Sequence, residues 1–228
     1  MVEFLLIIEN LINYSKKDID LGNTPSEIYK ICSCIREAFC ISYSIRKENN
    51  FFLYFKNENL LVKLVGKELK YLGPDERSQA ILLRKALDKV NLINNEEWVR
   101  STPGIFISRF KNFQSFILYL KSLINNQIAL IFNSISPLEL TFLAHTYDFP
   151  KIKKFKHLEE QSEYFFIIAS NPSNKAPLIE FLRILAQNFP LMIEKTVLIP
   201  LKKIKAPEDK ILYINFQIDQ QEKIGRLI

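Results

Sequence analysis

The residues of this 228-residue chain whose types and spacing could do chemistry are three cysteines, two histidines and several clusters of charge. Cys32, Cys34 and Cys40 fall within nine residues of one another. Their odd number argues against a disulfide framework and for a reducing compartment, the cytoplasm. A C-x-C pair with no nearby histidine or second pair makes a poor zinc site, so no metal is expected. On a helix, Cys32 and Cys40 would serve as small buried apolar residues. His145 sits among apolar residues and reads as a hydrogen-bonded core histidine rather than a catalyst.

Cationic side chains offer a different chemistry. Arg46, Lys47 and Arg109 are candidates for phosphate contact, the arginines through a bidentate fork. Solvated surface charge is the competing reading for each. Asp75, Glu76 and Arg77 could position a nucleic acid or a ligand carboxylate, or could simply open a helix with an internal ion pair. Lys151, Lys153, Lys154, Lys156 and His157, with Phe155 among them, form one basic run, and Lys202, Lys203 and Lys205 a second. Either can track an RNA backbone, and either can be a solvated loop. The net charge of +6 suits a polyanionic partner, although a Lys- and Asn-rich proteome produces the same balance.

These residues need elements to hold them. With 48% apolar and 25% charged residues, the chain has an ordinary globular balance and enough length to bury a substantial core in one domain. Phe4 to Ile8 reads as a buried first strand. It lacks the basic flank and small-residue cleavage site of a signal peptide, and no stretch reaches membrane-span length. Gly22-Asn23 marks a loop, after which Thr24 is expected to cap a helix, with Pro25 in its first turn and Glu27 three residues on. Ile28, Ile31, Cys32, Ile35, Ala38 and Phe39 give that helix one apolar stripe.

Phe51 to Phe55 and Leu60 to Val65 read as two strands joined by the turn Lys56-Asn57-Glu58-Asn59. Pro74-Asp75-Glu76 opens a second helix, its acids suited to the positive end. Ile105 to Ile107, Ile128 to Phe132, Tyr164 to Ile168 and Val197 to Ile199 are further strands. Helices are expected around Phe113 to Ile124 and Leu178 to Ala186, and Trp98 and Tyr71 are expected to pack. Alternating strands and helices imply an α/β fold whose mostly parallel sheet is flanked by helices. From Ile211 to Ile218 the pattern is double: Leu212, Ile214, Phe216 and Ile218 alternate as a strand would, whereas Ile211, Ile214 and Ile218 fit a helix. Periodicity does not separate the two.

The stretch Gly66 to Leu87, GKELKYLGPDERSQAILLRKAL, resembles the signature of the archaeal tRNA pseudouridine-54 N1-methyltransferase family, within the SPOUT superfamily of trefoil-knotted RNA methyltransferases. In that signature G-x-E-L-R-x-L-x-P-D-E-R-S precedes a helix rich in Ile, Leu and Lys. Weaker matches flank it in the right order. Cys32-Ser33-Cys34 running to Ile45-Arg46-Lys47 is similar to the family's L-C-R-C helix ending in I-R-R. Glu97-Trp98 and then Pro103-Gly104-Ile105-Phe106-Ile107-Ser108-Arg109 are similar to its E-W and P-G-V-Y-V-S-R.

The resemblance implies a single domain over residues 1–228, with a deep trefoil knot at about 160–225 and residues 206 to 222 as the threaded helix. It also implies a homodimer and N1-methylation of a pseudouridine in the T-arm of tRNA, from S-adenosylmethionine. The cofactor would lie against Ile168, Ala169, Leu198, Ile199 and Pro200, and RNA against Arg46, Lys47, Asp75, Arg77 and Arg109. The chain departs from the family at three points. No glycine stands between Gly104 and Gly225, so Ile199 occupies a family glycine position, where a positive φ would strain it. The family's Arg and Asp in the first helix are Glu27 and Tyr29 here, either of which could substitute in handling the N1 proton, and the sequence assigns no catalytic residue. A family cysteine is Lys210. The alternative reading is therefore a catalytically silent relative that acts as a dimeric RNA-binding or protein-interaction module.

Overall fold

The computed structural model describes residues 2–94, 96–124, 127–132, 153–154 and 164–225. His145 and most of the first basic run (Lys151, Phe155, Lys156, His157) lie outside the described residues.

Eleven strands are described: β1 (Val2–Ile8), β2 (Cys40–Ile41), β3 (Ser44–Ile45), β4 (Asn49–Phe55), β5 (Leu60–Val65), β6 (Val99–Thr102), β7 (Ile105–Arg109), β8 (Gln127–Phe132), β9 (Lys153–Lys154), β10 (Tyr164–Ala169) and β11 (Thr196–Pro200). Seven α-helices accompany them: α1 (Lys16–Asp20), α2 (Ser26–Phe39), α3 (Glu76–Leu87), α4 (Phe113–Leu123), α5 (Ala176–Asn188), α6 (Pro190–Glu194) and α7 (Pro207–Gly225).

Nine strands form one sheet in the order β6-β7-β5-β4-β1-β10-β8-β11-β9, and β2 and β3 make a separate small ribbon. From β4 to β9 every pairing is parallel, and β5, β7 and β6 add an antiparallel edge. The sheet is buried on both sides at its centre, which is why β1, β4 and β10 read as unbroken apolar runs instead of alternating. Phe4, Leu6, Phe51 and Leu53 face α2, α3 and α7, while Leu5, Ile7, Phe52 and Tyr54 face α4, α5 and α6.

Three local expectations are corrected. Thr24 does not cap α2; the N-cap is Pro25, which offers no side-chain bond, and Thr24 is buried instead. Tyr71 does not pack but stands 65% exposed, whereas Trp98 does pack, tilted against Tyr119 at 5.4 Å. Cys34, not Cys40, accompanies Cys32 in the core; Cys40 falls just past the helix and is half-buried. The segment Ile211 to Ile218 is helical. Ile211 and Ile214 are buried while Leu212 and Phe216 are exposed, the burial a helix requires and a strand would not give.

Candidate functional site

Strands β1 and β10 end side by side, and the Ser170 N–H continues their pairing by donating to the Ile7 carbonyl at 2.9 Å. This edge is where the sheet changes direction of travel. The chain leaving β1 goes to β4 on one side, whereas β10 on the other side belongs to the second half. In open α/β sheets, ligands occupy the crevice beyond the carboxyl ends of strands at such a point. Here the crevice is a cavity of about 810 Å³, within the range of small-molecule sites.

Its wall comes from four stretches. Leu6, Ile8 and Ile31 are apolar, and Cys34 lies beside them. Glu9 and Asn10 leave the end of β1, Glu27 and Lys30 come from the first turns of α2, Ser170 to Pro172 follow β10, and Lys205 to Glu208 enter α7. The first turns of two helices therefore meet at the same cavity.

Two of its carboxylates, Glu9 and Glu27, are held by their surroundings. The Asn174 amide donates to Glu9 Oε1, and Asn174 Oδ1 accepts from the Ala176 N–H at 2.9 Å, which ties the loop after β10 to the end of β1. Glu27 lies below the usual carboxylate range, because its own N–H and then the Ser26 hydroxyl, 3.0 Å away, favour its anion. It is thus ionised at neutral pH and open to solvent. Burial pushes the Cys34 thiol well above its ordinary value, so it stays protonated and unreactive.

Helix α7 is locked in place from behind. Arg46 grips Asp219 with both guanidinium nitrogens at 2.6 Å. Asn49 donates to the Ala38 carbonyl at 2.7 Å and to Asn215 Oδ1 at 3.3 Å, and Asn215 donates to the Glu37 carbonyl at 2.7 Å. This buried relay ties the end of α2 and the start of β4 to the middle of α7.

The residues expected at a cofactor site divide around this geometry. Ile168, Ala169, Leu198 and Ile199 are buried strand residues in the two cores, and Pro200 closes β11. Ile168, Ala169, Leu198 and Ile199 are not in the cavity wall; the residues immediately after β10 are. Ile199 pairs with Ile131 in regular strand geometry and has no positive φ, so the strain anticipated at this position is absent.

The expected RNA contacts scatter. Arg46 and Lys47 precede β4, at the end of the sheet opposite the cavity. Asp75 is the N-cap of α3, accepting from the Ser78 N–H at 2.8 Å, and Arg77 pairs with Asp20 at 2.6 Å. Arg109 ends β7 at the cavity's end of the sheet, three strands from β1, about 14 Å at ordinary strand spacing. Of the second basic run, Lys205 reaches the cavity. Glu27 reaches it as well, whereas Tyr29 is not in its wall. Glu9, Asn171 and Glu208 were missed. The one available signal was position, since polar residues directly after a buried strand of an α/β sheet sit where ligands bind. Among the described residues, no group of three potential metal ligands occurs and no helix is long and apolar enough to cross a membrane.

Residues 1–140 match the family described as "Putative SAM-dependent RNA methyltransferase". A tRNA (pseudouridine(54)-N(1))-methyltransferase of Methanocaldococcus jannaschii is 37% identical over 123 residues, covering 49% of this chain and 59% of that protein. The protein of the same name from Methanococcus aeolicus is 33% identical over 126 residues, covering 54% and 60%. The one from Haloferax volcanii is 36% identical over 90 residues, covering 40% and 45%. The chain thus spans three fifths or less of the length of these relatives. The β1 and α2 walls of the cavity fall inside the family match, and the walls after β10 and before α7 fall beyond residue 140.

Proposed function

The chain belongs to this RNA methyltransferase family, and from that premise we propose that it methylates N1 of a pseudouridine in the tRNA T-arm, using S-adenosylmethionine. The cavity at the ends of β1 and β10 carries the reading. Its volume suits a nucleoside-sized ligand, its floor of Leu6, Ile8 and Ile31 suits a ring, and Glu9 and Glu208 suit hydroxyl and ammonium groups. In this reading Ile168, Ala169, Leu198, Ile199 and Pro200 act as the strand ends that present the cofactor loops.

S-adenosylmethionine held in this cavity would supply an electrophilic methyl on a positively charged sulfur, with a neutral thioether as the leaving group. Glu27 takes the N1 proton as the nitrogen accepts the methyl, a role its place in the cavity wall supports. Lys30 and Lys205 at the rim attract the phosphates flanking the base. Lys47 and Arg109 are the further RNA contacts, since Arg46 and Arg77 already hold Asp219 and Asp20.

The same reading makes the protein a cytoplasmic homodimer with a knotted C-terminal half. The sheet order supports the knot, because β10 and β11 flank β8 on opposite sides before α7 returns to α2. Calorimetry with S-adenosylmethionine and mass analysis of a pseudouridine-containing tRNA transcript test the function. Glu27→Gln should retain cofactor binding and lose about 10²- to 10⁴-fold in turnover. No heat and no thermal shift at millimolar S-adenosylmethionine or S-adenosylhomocysteine would overturn the enzyme reading in favour of the silent relative.

A further inference from the structure

On the face of the sheet turned away from the cavity, one row of side chains crosses the antiparallel edge. Phe52 of β4 stands opposite Lys63 of β5, Lys63 opposite Phe106 of β7, and Phe106 opposite Arg100 of β6. Residues directly opposite one another in antiparallel pairs share a face, so these four form a continuous stripe. Lys63 Nζ lies 5.6 Å from the Phe52 ring and 6.0 Å from the Trp98 ring, and the Arg100 guanidinium lies 5.9 Å from the Phe106 ring. Arg100 is exposed, while Lys63, Trp98 and Phe106 keep part of their surface in solvent.

Charge decides what this stripe fits. Among the described residues neither Lys63 nor Arg100 is paired with a carboxylate, whereas Arg36, Arg46, Arg77 and Arg84 all are. Two such cations, each laid over an aromatic ring, leave an anionic partner to be supplied from outside. Flat rings with adjacent unpaired cations are what unpaired nucleotides need: a base stacks on the ring and its phosphate meets the cation. Trp98 and Phe106 come from the two short segments, Glu97-Trp98 and Pro103 to Arg109, to which the cavity gives no role.

We infer that the stripe Lys63–Phe106–Arg100, with Trp98 beside it, is a docking platform for unpaired nucleotides of the RNA substrate. The inference rests on the RNA methyltransferase reading and adds a second contact region to it, on β5, β7 and β6. A tRNA too large for the cavity rests on this outer face while its reacting base enters at the end of β1. The platform lies two to four strands from β1, about 10 to 19 Å, within reach of one folded RNA.

The test uses the full chain and an unmodified tRNA transcript, titrated by filter binding over a range of salt. Lys63→Gln with Arg100→Gln should weaken binding roughly tenfold or more near 0.1 M salt and reduce the logarithmic salt slope by about two. Calorimetry with S-adenosylmethionine should give the wild-type result in this variant, which separates loss of the platform from loss of fold. Trp98 is the only tryptophan in the chain, so its fluorescence reports on this face alone and should be quenched as tRNA saturates the wild type. Wild-type affinity and slope in the double variant would overturn the platform and leave this face to a protein partner. So would unchanged Trp98 emission at saturating tRNA. A wild type that binds no tRNA would instead overturn the RNA reading, and the platform with it.

Discussion

Single residues carry the departures from the family pattern, and Lys210 is the most testable of them. It stands where relatives of this type are expected to have a cysteine, one turn into α7, with 2% of its surface exposed. Burial pushes its pKa down from 10.5 to about 8, because an ammonium loses hydration that the interior does not fully replace. The folded value lies below the unfolded one, so between about pH 8 and 10.5 the unfolded chain holds more protons. Stability attributable to this residue therefore rises with pH through that window, and the cost is fully present below pH 8. Buried Tyr14 and Tyr54 and half-buried Tyr119 have raised values and act in the opposite direction above pH 10, so only a comparison isolates the lysine. Lys210→Met should be more stable than wild type at pH 7, by up to about 3 kcal/mol, with the gap closing towards pH 10. Urea denaturation at both pH values checks it, and a gap that does not change with pH would remove the burial argument.

At the scale of elements, the most specific motif in the sequence has an architectural role. A Cβ on Gly66 would lie 2.4 Å from the Asn49 carbonyl oxygen and 2.8 Å from those of Arg46 and Lys47. One on Gly104, which has φ +81°, would lie 2.5 Å from Leu69 N. The GKEL turn is thus pressed between the entry to β4 and the β6–β7 turn, and Asp75 caps the helix that follows. Gly66→Ala should cost about 3 kcal/mol or more, since backbone atoms cannot swing aside. Gly22→Ala, at φ +74° but with nothing within 4 Å, should cost only about 1 kcal/mol. Equal losses in urea denaturation would contradict this account.

The long elements were legible because they are buried on both faces or on one clear stripe: β1, β4, β5, β10, α2 and α3 lie within about two residues of where their apolar patterns put them. The short α1, α6, β6 and the β2–β3 ribbon were not, because elements of two to five residues carry no period. The Thr24 cap failed because tertiary packing drew the side chain inward. The cavity was not legible either. Glu27 was singled out through the resemblance, but Glu9, Asn171 and Glu208 each look like ordinary surface polar residues locally, and only the fold brings them together.

For the whole molecule, α7 has two obligations, and the second leads to an assembly. Its inner side, Ile211 and Ile214, packs on the core, and the Arg46–Asp219 and Asn215 contacts fix its rotation. With that rotation set, Leu212 and Phe216, one turn apart, are left 50% and 52% exposed, and Tyr29 of the adjoining α2 is 36% exposed. An exposed apolar pair on one helix face is the kind of surface that a second copy covers. The protein should therefore sediment as a dimer at micromolar concentration. Leu212→Glu with Phe216→Glu should give a folded monomer, because both side chains are half in solvent and the core side of α7 is untouched. Salt distinguishes this contact from RNA binding. An apolar seam should survive an increase from about 0.1 to about 1 M salt, at which exposed charge pairs are screened and phosphate contacts with tRNA are lost. A wild type that is monomeric at both salt concentrations would remove the dimer, and a dimer that dissociates only at high salt would move the interface off this face and onto charged residues.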